Sequence, residues 1–251
     1  GAAAAFHGNG TSFGYSVGGY PPVSDIIERY SFASDGDAVD TTADMNFTGG
    51  EPGGNVSSST HGYVMIQHPL KYSAVASITK YQFNTSNDMT DVGSLSTGTS
   101  ARGQMNGTMS ATYGYACGGG EPTEIDVIDK WTFSSDNNAT DVGDLTQERR
   151  SGSATCSSTH GYMAGGSQMP PSYNIIDKWT FASDNNATDV GDCTETKKDN
   201  TLSVQSSTHG YTGGGRDTTP NPTDRIEKYT FASDNDATDV GNLLDACSYS
   251  T

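Results

Sequence analysis

Apolar and polar residues alternate along short stretches of this chain, and the clearest stretch is Asn174 to Phe181. There Ile176, Lys178 and Thr180 fall on one face, and Ile175, Asp177, Trp179 and Phe181 on the other. Period-two alternation over eight residues predicts a strand. Tyr162 to Gly166 predicts a second strand that closes on a double glycine. Ser151 to Thr159, small and alternating, predicts a third, joined to the second by a tight turn at His160-Gly161. Ser167 to Tyr173 is a Pro-rich loop, and Ser183-Asp184-Asn185-Asn186 is a turn cluster of residues that bond their own backbone. Ala187 to Cys193 predicts a short outer strand. In chain order these are strands a, b, c and d of one unit.

The unit recurs. IIDKWTFASDNNATDVGD at 175–192 has counterparts beginning at Ile128, Arg225, Ile78 and Ile26. The internal Phe32, Phe83, Phe133, Phe181 and Phe231 are 51, 50, 48 and 50 residues apart. A fixed period near 50 with four short strands per unit predicts an all-β propeller of five four-stranded antiparallel blades. One such blade cannot bury both of its faces, so blades must stack on one another. The blades divide at about 1–45, 46–95, 96–145, 146–193 and 194–251, within a single domain. Double glycines close strand b at Gly18-Gly19, Gly118-Gly119, Gly165-Gly166 and Gly213-Gly214. Ile66-Gln67 replaces them in copy two, so that blade is expected to be locally irregular.

Composition changes this picture little. Leu, Ile, Val and Phe are only 35 of 251 residues and the net charge is -17, a balance that ordinarily reads as disorder. Here the apolar residues keep to the same repeat positions, which argues for a narrow core filled by small side chains. The acidic balance excludes a nucleic-acid partner, which needs clustered Lys and Arg. No apolar run approaches membrane-spanning length, so no membrane insertion is expected. The first residues, GAAAAFHGNG, lack a signal peptide's basic start and long apolar run. The chain does not begin with Met, which leaves a fragment or a processed chain open. Cys117, Cys156, Cys193 and Cys247 share no metal-type spacing and are read as free thiols packed as small residues.

The run DVGDLTQERRSG, then HGYMAGG, then IIDKWTF, resembles a kelch-type blade. It has a basic residue before strand a, a double glycine closing strand b and an aromatic in the c/d region. The repeats are also similar to tandem repeats in virion structural proteins of marine tailed phages, which carry a THGYxxGG segment followed by a VIDKFSFASDxNATDVGDLT-like unit. Residues 60–251 follow that pattern well and 1–50 less well. The resemblance implies a tail-fibre-like or other particle-surface role, extracellular or on the virion, with other virion proteins or a host cell-surface glycan as partner.

In a four-stranded blade the b–c and d–a connections leave one face of the disc, and the a–b and c–d turns the other. The a–b and c–d turns barely change between copies, whereas the b–c loops and d–a connectors differ completely. Loops that vary on a rigid scaffold are where recognition resides. The candidate ligand-binding residues on that face are Tyr20, Lys71, Tyr72, Arg102, Arg149, Arg150, Met169, Tyr173, Lys197, Lys198 and Arg216. Aromatics beside charged and amide side chains suit a glycan or another cell-surface polymer.

Other chemistry is weaker. Asp136, Asp141, Asp184 and Asp189 offer oxygen ligands in tight loops, but without an EF-hand pattern, so calcium is the only cofactor worth naming and turn-forming is preferred. His61, His160 and His209 recur at a position that holds Phe13 and Tyr113 in the other copies, which favours packing over a metal ring. No nucleophile elbow supports a hydrolase. The Cys117–Tyr115 proximity does not make the Tyr, His and Cys site of a copper radical oxidase. Seven N-x-S/T sequons, at Asn9, Asn46, Asn55, Asn84, Asn106, Asn138 and Asn186, matter only in a eukaryotic secretory pathway. The expectation is therefore a non-enzymatic recognition or structural propeller on a phage or virus particle. A purely structural virion component and a secreted lectin are the alternatives.

Overall fold

The computed structural model describes residues 4–7, 12–19, 24–46, 51–67, 77–96, 102–120, 123–168, 170–200, 202–216 and 221–248. Among them there are no helices; the chain is an all-β, five-bladed β-propeller. Blade one is β1 (Ala4–His7), β2 (Phe13–Gly19), β3 (Ser24–Ser31) and β4 (Val39–Asp44). Blade two is β5 (Glu51–Ser57), β6 (His61–Gln67), β7 (Ser77–Gln82) and β8 (Thr90–Ser94). Blade three is β9 (Asn106–Met109), β10 (Tyr113–Cys117), β11 (Val127–Thr132) and β12 (Thr140–Asp144). Blade four is β13 (Ser153–Cys156), β14 (His160–Ala164), β15 (Tyr173–Thr180) and β16 (Thr188–Lys197). Blade five is β17 (Leu202–Gln205), β18 (His209–Gly213), β19 (Arg225–Thr230) and β20 (Thr238–Asn242). Each blade is one sheet with its strands side by side in chain order. The chain divides into two compact units, 1–116 with 129–140 and 117–128 with 141–251, so the cut passes through blade three.

The local chemistry follows the repeat. In the a–b turn, Ser157 Oγ accepts the N–H groups of Thr159 and His160 at 3.2 and 3.0 Å. The same Ser-x-x-His turn recurs at Ser58 and Ser206. His160 is thereby the first residue of strand b, not part of the turn. Its Nδ1 lies 2.8 Å from Thr159 Oγ1, a local contact repeated at His61 and His209. The glycine after the histidine is needed because the strand-c aromatic lies flat on it. A Cβ on Gly161 would sit 2.4 Å from the Trp179 ring, and one on Gly210 2.4 Å from Tyr229.

Among the described residues, three core clusters each span two neighbouring blades. In the first unit, Tyr15, Val17 and Ile27 of blade one pack with Val64, Tyr81 and Phe83 of blade two. Tyr63 and Met65 of blade two likewise pack with Ala116 and Trp131 of blade three. In the second unit, Tyr162 and Ile176 of blade four pack with Tyr229 and Ala237 of blade five. Apolar burial is thus strongest between neighbours, the arrangement expected when each repeat has a neighbour-facing surface. Blade two is irregular as expected: its a–b register shifts between Pro52 and Asn55.

Neighbouring blades are joined by a recurring set of contacts. The strand-b tyrosine stacks on the phenylalanine that follows strand c in the next blade: Tyr15 on Phe83 at 4.9 Å, Tyr63 on Phe133 at 5.0 Å and Tyr162 on Phe231 at 4.8 Å. Asp44, Ser94 and Asp144 end strand d in blades one to three, Asp192 holds the same repeat position inside β16, and each offers its carbonyl to an N–H in the next blade's c–d turn. The donors to Asp44, Ser94, Asp144 and Asp192 are Met89, Ala139, Ala187 and Ala237. The N–H groups of the same four strand-d residues bond the turn side chains of Asp88, Asn138, Asn186 and Asp236 at 3.0–3.2 Å. In blades two to four the glycine just before that strand-d residue lets the turn approach. A Cβ on Gly93, Gly143 or Gly191 would lie 2.4–2.6 Å from the neighbouring turn's backbone. An ion pair completes the set where Lys is available, Lys80 with Asp136 and Lys178 with Asp234.

Candidate ligand-binding face

In the second unit the unlike connectors do meet at one end of each sheet. The d–a connector of blade four bridges its b–c loop, Arg150 to Ser167, and Ser167 in turn bridges Ser172. Blade five repeats this with Lys198 to Arg216 and Arg216 to Pro222. Gly166 and Gly215, at φ 105° and 90°, carry the chain round this corner. Gly166 donates to Lys197 O at 2.6 Å and Gly215 to Cys247 O at 2.7 Å.

Three of the expected surface cations are not at the surface. Arg102, Arg149 and Lys197 are 0–1% exposed. Arg102 pairs with Asp129, Arg149 Nη2 lies 3.0 Å from Asp177 Oδ2, and Lys197 pairs with Glu227. Each acid stands at the same point of strand c in the blade that its cation leads into. Each also takes a backbone N–H from the residue two past strand d's usual end in the preceding copy: Ser96, Thr146 and Thr194. Thr146 adds its hydroxyl to Asp177 at 2.7 Å. The arginines also cap strand b, Arg102 through Ala116 O at 3.2 Å and Arg149 through Met163 O at 3.1 Å. This corrects the reading of these three residues as loop side chains available to a ligand. A buried cation is tolerated only with a partner, and strand c supplies it. The connector from blade four to blade five begins as strand, because β16 continues to pair Lys197 with Tyr173.

The remaining candidates separate clearly. Arg150 is half-buried, with Nε 3.3 Å from Glu124 Oε1 and Nη1 3.2 Å from Gly120 O. Arg216 holds Asp199 through Nε at 3.1 Å and Nη2 at 2.6 Å. Tyr173 donates to Gln168 Oε1 at 3.1 Å, and Gln168 reaches Glu148 at 2.9 Å. Lys198 is half-buried, and its backbone makes the bridge to Arg216. Tyr20, Lys71, Tyr72 and Met169 lie outside the described residues.

The Asp-rich turns serve the backbone. Asp141 and Asp189 accept the N–H groups of Gly143 and Gly191 at 3.1 Å, and Asp136 holds Lys80. Asp184 occupies the same turn position as Asp136. Crowding of like charge shows here. Desolvation, then the neighbours Asp126 and Asp141, raise the Asp144 carboxyl, and desolvation with Asp189 and Asp236 raises Asp192.

The residues missed by the sequence reading are the strand-c acids, Asp129, Asp177 and Glu227. A signal existed. The acid is present where a base precedes strand a, and copy two has Thr79 in its place with no Lys or Arg between 41 and 56. Thr79 instead donates to Val64 O at 3.2 Å. Glu28, the equivalent in blade one, is exposed. No family model matches the chain, and no curated protein matches it.

Proposed function

We propose that this chain is a non-enzymatic recognition module, a propeller displayed on the surface of a phage or virus particle that contacts a glycan or another cell-surface polymer. The observation that carries the reading is the pairing of unlike b–c loops and d–a connectors at one end of blades four and five. Residues free to differ between copies are thereby gathered on a rigid support. Tyr173, Gln168, Glu148 and Lys198 offer an aromatic ring, an amide and charges there, a mixture that suits hydroxyl-rich ligands. The particle setting rests on the likeness of the repeats to virion proteins of marine tailed phages. Binding of the folded protein to a glycan array and to host cells tests the proposal. Tyr173→Ala with Lys198→Ala is expected to lower a positive signal at least about fivefold while leaving the melting curve in place. Absence of binding to every glycan and every host surface overturns it.

A purely structural role in the particle is the second reading, and one observation favours it. Among the described candidates, Arg102, Arg149, Arg150, Lys197 and Arg216 are all engaged in ion pairs within their own unit rather than held out toward a ligand. A particle image that places these loops against a neighbouring subunit would select this role.

A further inference from the structure

Of the three buried pairs that join a connector to strand c, one is built from different groups. Arg102 with Asp129 and Arg149 with Asp177 use a guanidinium, whereas the pair that ties β16 to β19 uses a primary amine, Lys197, and a longer acid, Glu227. The lysine is shorter than an arginine and the glutamate longer than an aspartate, so the contact survives while its chemistry changes. A guanidinium is delocalised and permanently charged, and it does not act as a nucleophile. An amine that has given up its proton does.

The same copy adds a second carboxyl. Glu195 stands two residues before Lys197, where the preceding copy has Gln147 two residues before Arg149. Glu195 Oε1 is buried, lies 4.0 Å from Lys197 Nζ and accepts no hydrogen bond among the described residues. Its Oε2 lies 3.6 Å from Arg225 Nη1.

Glu227 is held as an acyl acceptor would be. Its Oε1 takes both the N–H and the hydroxyl of Thr194, and Arg225 Nη1 donates to that hydroxyl at 2.9 Å. Its Oε2 touches Lys197 Nζ, yet neither atom makes an aligned hydrogen bond among the described residues. The Lys197 and Glu227 side chains are both 0% exposed. Bulk water, which would hold the amine and the carboxylate apart as solvated ions, is therefore kept out.

We propose that Lys197 and Glu227 condense to an intramolecular amide, a covalent strut between blades four and five. Glu195 takes a proton from the Lys197 ammonium, and the freed Nζ attacks Glu227 Cδ. The two Thr194 donors stabilise the negative charge that gathers on Oε1. The Nζ–Cδ bond forms and the Cδ–Oε2 bond breaks. Oε2 leaves as water with two of the three ammonium protons, both passed to it by way of Glu195, and the third stays on the amide nitrogen. One positive and one negative charge vanish together, so no oxidant, reductant or activating group is consumed. The cost of keeping two ions out of water vanishes with them. The strut closes the chain from 197 to 227 and holds β19 to β16 even when the hydrogen bonds between them are lost. The inference goes beyond the ligand-binding proposal and uses none of its residues.

Mass spectrometry of the full chain, denatured and reduced, tests the proposal. The expected mass is that of the sequence less one water, and digestion of the parent is expected to give a branched peptide in which Lys197 is joined to Glu227. Lys197→Arg keeps the charge and removes the nucleophile, and it is expected to show the full sequence mass. Glu195→Gln leaves both joined residues in place and is expected to slow the loss of water about a hundredfold in protein sampled at intervals after synthesis. The peptide map is read on the parent alone, so it stands whatever the folding of the variants. A parent at its full sequence mass, with Lys197 and Glu227 recovered in separate peptides, overturns the proposal. A missing water that persists in Lys197→Arg overturns it too, because the loss then lies elsewhere. Linkage in Glu195→Gln as fast as in the parent overturns the route through Glu195.

Discussion

Truncating Arg149 is expected to cost the fold a large part of its stability. The guanidinium and the Asp177 carboxylate are both fully buried, with Nη2 and Oδ2 3.0 Å apart. At an effective dielectric near 20, unit charges at that separation attract by about 5–6 kcal/mol. Desolvation of the two ions cancels much of that, so the pair adds little beyond what two well-packed apolar residues would give. Removing one member is another matter. Arg149→Ala leaves Asp177 with only Thr146's N–H and hydroxyl as compensation, and it also strips a donor from Met163 O. The expected loss is about 3–5 kcal/mol. For a chain of this size that lowers the melting temperature by roughly 6–20 °C. Urea unfolding followed by circular dichroism measures it. Arg149→Met combined with Asp177→Leu separates the two effects, because it removes the pair without orphaning either charge. That variant is expected within about 1 kcal/mol of the parent, or above it. If Arg149→Ala folds and loses less than about 1 kcal/mol, the guanidinium is not a buried structural ion and the surface-loop reading returns.

Three further expectations follow from the junctions and the buried groups. Gly191→Ala drives a Cβ to 2.6 Å from the Asn235 backbone, whereas Gly241→Ala shares the φ and meets nothing. At high dilution the first is expected to be the more destabilising by about 2 kcal/mol in urea titration, and equal costs would refute the junction geometry. Alkylation at mildly basic pH is expected to modify Cys156 and Cys247, leaving the buried Cys117 and Cys193 unmodified until urea is added. Burial and the nearby Glu227 raise the Cys193 thiol further against ionisation; early labelling of Cys193 in mass spectra would contradict this. Burial, then Lys80 and Lys178 respectively, lower the pKa of His61 and His160. The fold therefore holds them neutral, and their contribution is complete above the ordinary value of 6.5 and lost as pH falls below it. His61→Gln with His160→Gln should flatten the fall in stability between about pH 7.5 and 5.5; an unchanged slope would discount the histidines.

The repeat made the fold legible because one surface physics recurs five times. Period-two alternation around Trp179 and the Ser-Asp-Asn-Asn turn locate strands c and d, and His-Gly-Tyr locates strand b. The gathering of unlike connectors was legible too, and the Arg150–Ser167 and Lys198–Arg216 bridges display it in the second unit. The fate of the basic residues was not read. A basic side chain in a variable connector reads as solvated when taken alone, and its burial depends on an acid about 30 residues later in the chain. Alternation places Asp177 on a strand face but does not match it to Arg149, and Glu227 stands at the same position of its own copy, opposite Lys197. The ends of strands were blurred for a related reason. Strand d of blade four runs on to Lys197 through pairing with Tyr173, a tertiary partner that local propensity does not encode.

The placement of each buried cation and its acid within the same copy has an evolutionary consequence. Arg149 and Asp177 both lie in 146–193, and Lys197 and Glu227 both in 194–251, so each pair travels together whenever a period with those bounds is duplicated or deleted. An inserted copy arrives electroneutral in its interior and needs no compensating change elsewhere. The contacts between copies, being nearly alike at every step, accept it as they accept any other. Copy number in such a chain can drift by unequal recombination at little thermodynamic risk, while each loop-bearing end remains free to diversify.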